Sequence, residues 1–328
     1  MGNNETEHQL IECTDDALWD SLVLSSREAN PFLTSSFLSS IGKLKGRRLL
    51  YQESKPVLGT CLSLASDSAS ESESEFNVFQ GAFFPGLNDS SYRDDNKRLN
   101  LISILAEKLD QLGDYGKYSF HPSIRDMRGL EWFYYGNKET KLVPLHQVRY
   151  TGEVRLKEFS GFDDYISTIR KSRIDELEKS QKLKHTIVHH SSEVDDFLHL
   201  YIKTFKRQNL QNSSFHLKQV EKIISDTSRF GHGSLDLIYS NEGKPYSGVF
   251  ILSDIKTDVY LFGATDPAHR NLYGSTHLIL NAIRRSFMNS RQIFDFCGIN
   301  SPMRGSYKSS FNSRVAPYFE VEFVQKDN

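Results

Sequence analysis

Residues 259–311 read VYLFGATDPAHRNLYGSTHLILNAIRRSFMNSRQIFDFCGINSPMRGSYKSSF, and the reading of this stretch decides the fold. Val259–Thr265 is apolar and rich in β-formers, which predicts a strand. A loop carrying Arg270, Tyr273, Gly274 and Ser275 follows, and then Leu278, Ile279, Ala282, Ile283 and Phe287 recur at helical spacing. A helix start leaves backbone N–H groups without partners. With a glycine permitting close approach and an arginine beside it, such a start suits an anionic phosphate. Gln292–Gly298 predicts a second strand, and a loop bearing Arg304, Tyr307 and Lys308 comes after it.

Working outward, the chain repeats itself. Glu53, Lys55, Pro56 and Gly59 match Glu242, Lys244, Pro245 and Gly248 at one constant spacing. Asn77–Phe83 parallels the strand at Val259, and the predicted helix Arg98–Leu112 parallels Ser275–Met288. Phe120, Met127, Arg128 and Gly129 match Phe296, Met303, Arg304 and Gly305 at a second spacing. Matches that keep their order imply two copies of one α+β unit, with insertions in the loops. The domains expected are 1–150 and 151–328.

The order FGATDPAHRNLYGS, HLILNAIRRSF, IFDFCGI and SYKSSF resembles the second half of the FemAB-like, two-domain branch of the GNAT N-acyltransferases. Pro31, Phe32, Ser35, Phe37 and Leu38 also match that branch's opening pattern. The loop departs from the family, which often shows R/Q-x-x-G-x-G/A where this chain has Arg270 followed by Tyr273, Gly274 and Ser275. The resemblance implies an α+β (mixed α/β) fold of two tandem GNAT-like domains, each a mainly antiparallel twisted sheet flanked by helices. It also implies that the terminal segment 315–328 returns to the first domain.

The activity implied is transfer of an acyl group from acyl-CoA, a co-substrate, to a primary amine through a tetrahedral oxyanion, with no metal. The acceptor implied is a nucleotide-linked amino sugar. Arg270, Tyr273, Gly274 and Ser275 would hold the donor's phosphates. Arg170, Lys171 and Arg173, at the family's K-[ST]-R-like helix, would hold the acceptor's phosphates, because an arginine fork makes two charge-assisted bonds to one. A solvated helix face is the other reading of those charges. Lys308 matches the family's lysine beside the oxyanion and Tyr307 precedes it; an exposed loop lysine is the alternative.

Asp295 stands between two phenylalanines in an apolar strand, where an unpaired carboxylate is costly. It is expected to be hydrogen-bonded, or raised in pKa and functional, with an ion pair to Arg304 as the structural alternative. His121, at the equivalent strand end of the first copy, and His269 and His277 beside the donor loop are further proton acceptors to weigh. The first copy has Asp94 and Asp95 where the second has Gly-Ser, and Trp132 where the second has Lys308. The donor site is therefore expected in the C-terminal copy, and walls of the acceptor cleft in the N-terminal one.

Composition bounds these readings. The chain has 328 residues, 38% hydrophobic, 25% charged and 12% aromatic, enough to bury a core in each of two domains. Lys and Arg number 40 against 42 Asp and Glu, so no global basic field draws in a polyanion. That balance, with no long heptad helix, speaks against a Fem-type peptidyltransferase that takes its aminoacyl group from tRNA onto a cell-wall precursor. A catalytically silent binding module is the third reading, disfavoured by Arg270, Gly274, Asp295 and Lys308. The acidic N-terminus, the absence of an apolar run able to span a bilayer and three scattered cysteines predict a cytoplasmic chain without disulfides or a metal site. The partner expected is a small-molecule amine, nucleotide-linked in the amino-sugar reading, with no nucleic acid or membrane, for a monomer or homodimer. The run ASDSASESESE at 65–75 predicts a solvated loop.

Overall fold

The structure, a computed structural model, describes residues 8–41, 45–63, 76, 78–89, 91–113, 116–135, 139–208 and 214–326. The acidic run 65–75 lies outside them. Backbone proximity divides the chain into two units, Met1–Arg149 with Pro317–Asn328, and Tyr150–Ala316.

In the first unit β1 (His8–Glu12), β2 (Lys45–Gln52) and β3 (Lys55–Ser63) form an antiparallel sheet in that order. α1 (Asp16–Leu24) begins where the Asp15 carboxylate accepts the Leu18 N–H at 2.9 Å, and α2 (Ser35–Ser40) is capped by Thr34. α3 (Tyr92–Leu112) starts earlier than the repeat predicts. Ser91 caps it, and Asp94 and Asp95 fall in its first turn, where the helix dipole favours negative charge. These aspartates thus belong inside the helix rather than to a loop before it. β4 (Lys117–Ser119) pairs antiparallel with Glu320–Glu322 of β11 (Arg314–Gln325). α4 (Arg128–Tyr134) follows β4, and Trp132 on it lies exposed beneath the Arg128 guanidinium. Leu58, Ile102, Leu105, Phe120, Val321 and Phe323 pack in one core.

The strand predicted over Asn77–Phe83 is not formed among the described residues, which leave out Asn77. Phe79 is left-handed at φ 54°, which breaks the extended run. Phe83 makes a single bridge to Gly59, while Gly81 N–H bonds the Ser119 carbonyl and Thr60 Oγ1 the Gly81 carbonyl.

In the second unit the end of β5 (Leu142–Arg155) pairs antiparallel with β10 (Ile293–Asp295). β10 lies parallel to β9 (Thr257–Thr265), and β9, β8 (Pro245–Ser253), β7 (Gly233–Ser240) and β6 (His185–Val188) continue antiparallel. The sheet is mixed and mainly antiparallel. β5 begins well before the predicted Thr151, since its first half carries exposed residues on both faces and shows no alternation. The predicted strand 292–298 shortens to three residues because Cys297 and Gly298 are left-handed, at φ 47° and 53°. The helices are α5 (Phe162–Ile166), α6 (Lys171–Gln181), α7 (Val194–Arg207), α8 (Ser214–Arg229), α9 (Gly274–Met288) and α10 (Pro302–Ser309). Leu278, Ile279, Ala282 and Ile283 of α9 are buried against Val249, Ile251 and Phe294 of the sheet, as the helical spacing predicts.

Candidate active site

The site begins where two parallel strands part. β10 pairs with β9 over Ile293–Asp295 against Thr257–Val259, and then stops. The chain beyond it stays with β5, Phe296 N–H bonding the Gly152 carbonyl and Ile299 N–H the Tyr150 carbonyl. From Tyr260 to Thr265 the edge of β9 that faced β10 is therefore open among the described residues. A cleft of about 350 Å³ lies along it.

The upper wall of the cleft is cationic. Arg270, on a 3-10 turn over Pro267–Leu272, and Arg207, at the end of α7, both line it. Neither guanidinium has a carboxylate partner among the described residues. Burial, reinforced by the charge of Arg270, holds Arg207 below the usual arginine range. Tyr273, left-handed at φ 56°, is the N-cap of α9 and offers no side-chain cap, so among the described residues the first N–H groups of α9 are left without a capping partner beside these arginines. Thr204 closes this end by bonding both the carbonyl and the N–H of Thr265, at 3.2 and 3.1 Å.

The opposite wall carries one carboxylate. Glu176 pairs with Arg173 and accepts from Thr276 Oγ1 at 2.6 Å. Tyr307 Oη lies 3.1 Å from Thr276 Oγ1 and 3.2 Å from Ser275 Oγ. Because Thr276 gives its only hydroxyl proton to Glu176, it accepts from Tyr307, and Ser275 donates to Tyr307 in turn. Burial raises the Tyr307 phenol above its ordinary pKa, so it stays a donor at neutral pH. The Arg173 guanidinium stacks on its ring at 4.9 Å.

At the parting of the strands, Asp295 is buried and accepts from the Thr151 hydroxyl and from Cys297 N–H at 2.7 Å. Burial pushes its carboxyl up to about 7, and the neighbouring charge of Glu153 adds to the rise. Thr151, the Cys297 N–H and Lys308 act in the other direction. Burial and the charge of Asp295 push the Cys297 thiol up to about 12. Lys308 directs its three ammonium protons at the carbonyls of Phe296 (2.6 Å), Cys297 and Gly298 (3.1 Å). Burial lowers its pKa.

The comparisons with known proteins agree with this architecture. Residues 166–309 match the family described as Acetyltransferase (GNAT) domain. This chain carries a GNAT acetyltransferase domain. That domain makes it an acyltransferase, and its fold is that of the FemAB-like branch. The crystal structure of FemX superposes on it with a TM-score of 0.69 at 11% identity, covering 95% of this chain and 96% of that one. A conserved protein of unknown function from Bacteroides thetaiotaomicron gives a TM-score of 0.61 at 11% identity, covering 96% and 100%. L-PGS from Bacillus licheniformis gives 0.56 at 10% identity, covering 95% and 92%. No curated protein matches the sequence.

Within the GNAT domain the residues singled out from sequence fare differently. Arg270, Tyr273, Ser275, Tyr307 and Arg173 line one cleft. Gly274 does not: a Cβ on it would lie 2.7 Å from Tyr246 and 2.8 Å from Ser247, so its smallness lets α9 seat on the sheet and does not admit a ligand. Arg170 and Lys171 are exposed and stand outside the cleft, so the three-residue phosphate clamp is not assembled. Lys308 sits on α10 and not on a loop, with its protons committed to backbone carbonyls, which leaves none for an oxyanion. Asp295 is not paired with Arg304, which is exposed and donates to Gln208 at 3.2 Å. Nor does Asp295 line the cleft.

His277 is buried beside Ser180 at 3.1 Å, and burial pushes it down to about 4. His269 lies near Asp266 outside the cleft, and His121 belongs to the first unit, where its Nδ1 accepts from the Ser123 N–H at 3.1 Å. Arg207, Glu176, Tyr260 and Thr276 escaped the sequence reading, since each is an ordinary residue of a helix or strand and only the fold gathers them. Among the described residues no cluster of three or more His, Cys, Asp or Glu could hold a metal, and no helix is long and apolar enough to cross a membrane.

Proposed function

We propose that the chain transfers an acyl group from acyl-CoA to a primary amine in the cleft along β9. The observation that carries this is a pair of arginines, Arg207 and Arg270, that have no carboxylate partner among the described residues and stand at the start of α9, which has no side-chain cap. Fixed cations and N–H groups there suit a pyrophosphate, while the open edge of β9 offers unpaired peptide groups to an amide-bearing arm. Acyl-CoA, when bound, supplies an activated thioester carbonyl. The chain's part is to hold the phosphates at Arg207, Arg270 and the N–H groups of α9, and to place the carbonyl toward Tyr307. Glu176 meets the acceptor's ammonium, and the hydroxyls of Ser275, Tyr307 and Thr276 lead toward that carboxylate as a path for its proton. Lys308 and Asp295 hold the backbone where β10 leaves β9. A nucleotide-linked amino sugar is the first acceptor to try; Arg173 is the one member of the expected clamp that supports it.

The second reading is a Fem-type transferase with an aminoacyl-tRNA donor, which the likeness of the fold to FemX supports. Thermal melting of the purified protein with CoA and short acyl-CoAs separates the two. A ligand at 100 times its Kd stabilises by about 2.7 kcal/mol, a visible rise in Tm. No rise with any of them, beside salt-sensitive binding of aminoacyl-tRNA, would move the assignment to the second reading.

A further inference from the structure

We infer that the second unit holds a further small-molecule site, behind the turn that carries Arg270, and that it takes a monocarboxylate borne on a flat aromatic body. The cavity has a volume of about 400 Å³, no smaller than the cleft along β9, and shares no lining residue with it. Its place follows from the pairing of three strands. β6 and β7 run antiparallel with His185 opposite Ser240, and β7 turns back into β8 through Asn241, Glu242 and Lys244. The chain between α6 and β6, at Leu183 and Lys184, closes one side of this end of the sheet. The 3-10 turn Pro267–Leu272 closes another through His269 and Leu272. Arg270 and Tyr273 line the cleft instead, so one turn separates the two spaces. The site stands whether or not the donor in the cleft is acyl-CoA.

The floor of the pocket is aromatic. Tyr246 is buried at the start of β8, with the His269 ring 5.8 Å from its own at 36° and the His185 ring at 6.4 Å. Leu183, which is exposed, and Leu272 add apolar wall. A flat apolar body covers such a surface. The polar groups above it are donors. The Tyr246 hydroxyl stands 3.2 Å from His185 Nδ1. Burial raises that phenol to about 12 and lowers the His185 imidazole, so at neutral pH the phenol donates and the neutral ring carries its proton on Nε2. Nε2 has no partner among the described residues. His269 Nδ1 is buried and likewise makes no hydrogen bond among them. Charge decides the sign of the ligand. Lys184 lines the pocket with no carboxylate partner among the described residues, whereas Lys244 pairs with Glu242 at 3.1 Å. Two ammonium groups against one carboxylate leave a single positive charge, which one further carboxylate neutralises. Among the described residues no arginine lines the pocket, so the planar fork that suits a phosphate is missing.

Titration of the full chain with 2-naphthoate, followed by the ligand's proton NMR signals, tests this. The Arg207→Met/Arg270→Met double variant, which lacks the cations of the cleft, should bind naphthoate as the wild type does, with a Kd of about 1 mM or lower. Lys184→Met and His185→Gln, at an exposed and a half-buried position, should each weaken binding about fivefold or more. 2-Naphthylmethylamine, of similar shape and opposite charge, should bind at least about tenfold more weakly, and 2-naphthyl phosphate no more tightly than naphthoate. Loss of binding in the double variant, or displacement of naphthoate by CoA, would seat the anion in the cleft and overturn the inference. An affinity that neither Lys184→Met nor His185→Gln changes would overturn it too, as would an amine bound as tightly as the carboxylate. No saturation at about 10 mM naphthoate would mean that the pocket is not a site for this class. A phosphate bound clearly more tightly than the carboxylate would overturn the choice of anion.

Discussion

At the scale of the residue, Lys308 and Asp295 show how one strand end is secured. Lys308 binds three consecutive backbone carbonyls that accept from no backbone N–H among the described residues. Removing the ammonium leaves partly buried acceptors bare, so Lys308→Met should cost about 2–4 kcal/mol, read as a lower denaturant midpoint with an unchanged m-value. A variant as stable as the wild type would mean that the ammonium is available for another task. Asp295 has its carboxyl raised to about 7 by burial. Its folded pKa exceeds its unfolded one, so the folded protein binds the extra proton between those values and this group makes stability fall as pH rises from about 4 to about 7. Asp295→Asn removes that dependence. Relative to the wild type, its unfolding free energy should improve between pH 5 and pH 8, and parallel pH profiles for the two proteins would refute the assignment.

At the scale of the element, α9 meets the sheet through a glycine. Gly274→Ala would put a methyl 2.7 Å from Tyr246 and 2.8 Å from Ser247, contacts within the buried layer and not at a flexible tip. Displacing the helix start is expected to cost about 1–3 kcal/mol, and to weaken acyl-CoA binding because the N–H groups beside Arg270 move with it. Differential scanning calorimetry and titration with acetyl-CoA check the two effects. Loss of affinity without loss of stability would place the glycine's role at the ligand instead of the sheet. The sequence reading took a glycine beside an arginine at a helix start as a signal for phosphate, but which way its missing side chain faces is set by the strands beneath.

At the scale of the whole molecule, the chain does not divide at one point. Residues after Pro317 belong with the first unit, where Val321 and Phe323 are buried in a core built mostly from residues before 143. Phe323→Ala should therefore destabilise the first unit by about 3–5 kcal/mol, although the substitution lies at the far end of the sequence. Limited proteolysis mapped by mass spectrometry would show cleavage rising within residues 45–135. Cleavage confined to the last few residues would contradict that arrangement. The return of the terminal segment to the first unit was expected from the family resemblance, and residues from Pro317 do join it. The strand expected at 77–83 is not formed among the described residues, since Phe79 is left-handed and the hydrogen bonds go to β3 and to the end of β4.

Local sequence was enough for the kind of fold and for the segment, from Tyr260 to Tyr307, that supplies most of the cleft lining. Strand alternation, helical spacing and the residues at helix starts act over a few positions, so they are written in the chain. Tertiary structure decided which side chains meet. Arg207 joins Arg270 because α7 ends at the open edge of β9, and Glu176 reaches Thr276 because α6 lies beside α9. Tyr260 turns over Gly263 because a bulge shifts the register, and Lys308 turns inward because three carbonyls after β10 accept from no backbone N–H among the described residues. Side-chain direction and hydrogen-bond demand follow from pairing between distant segments, and local sequence carries no record of them.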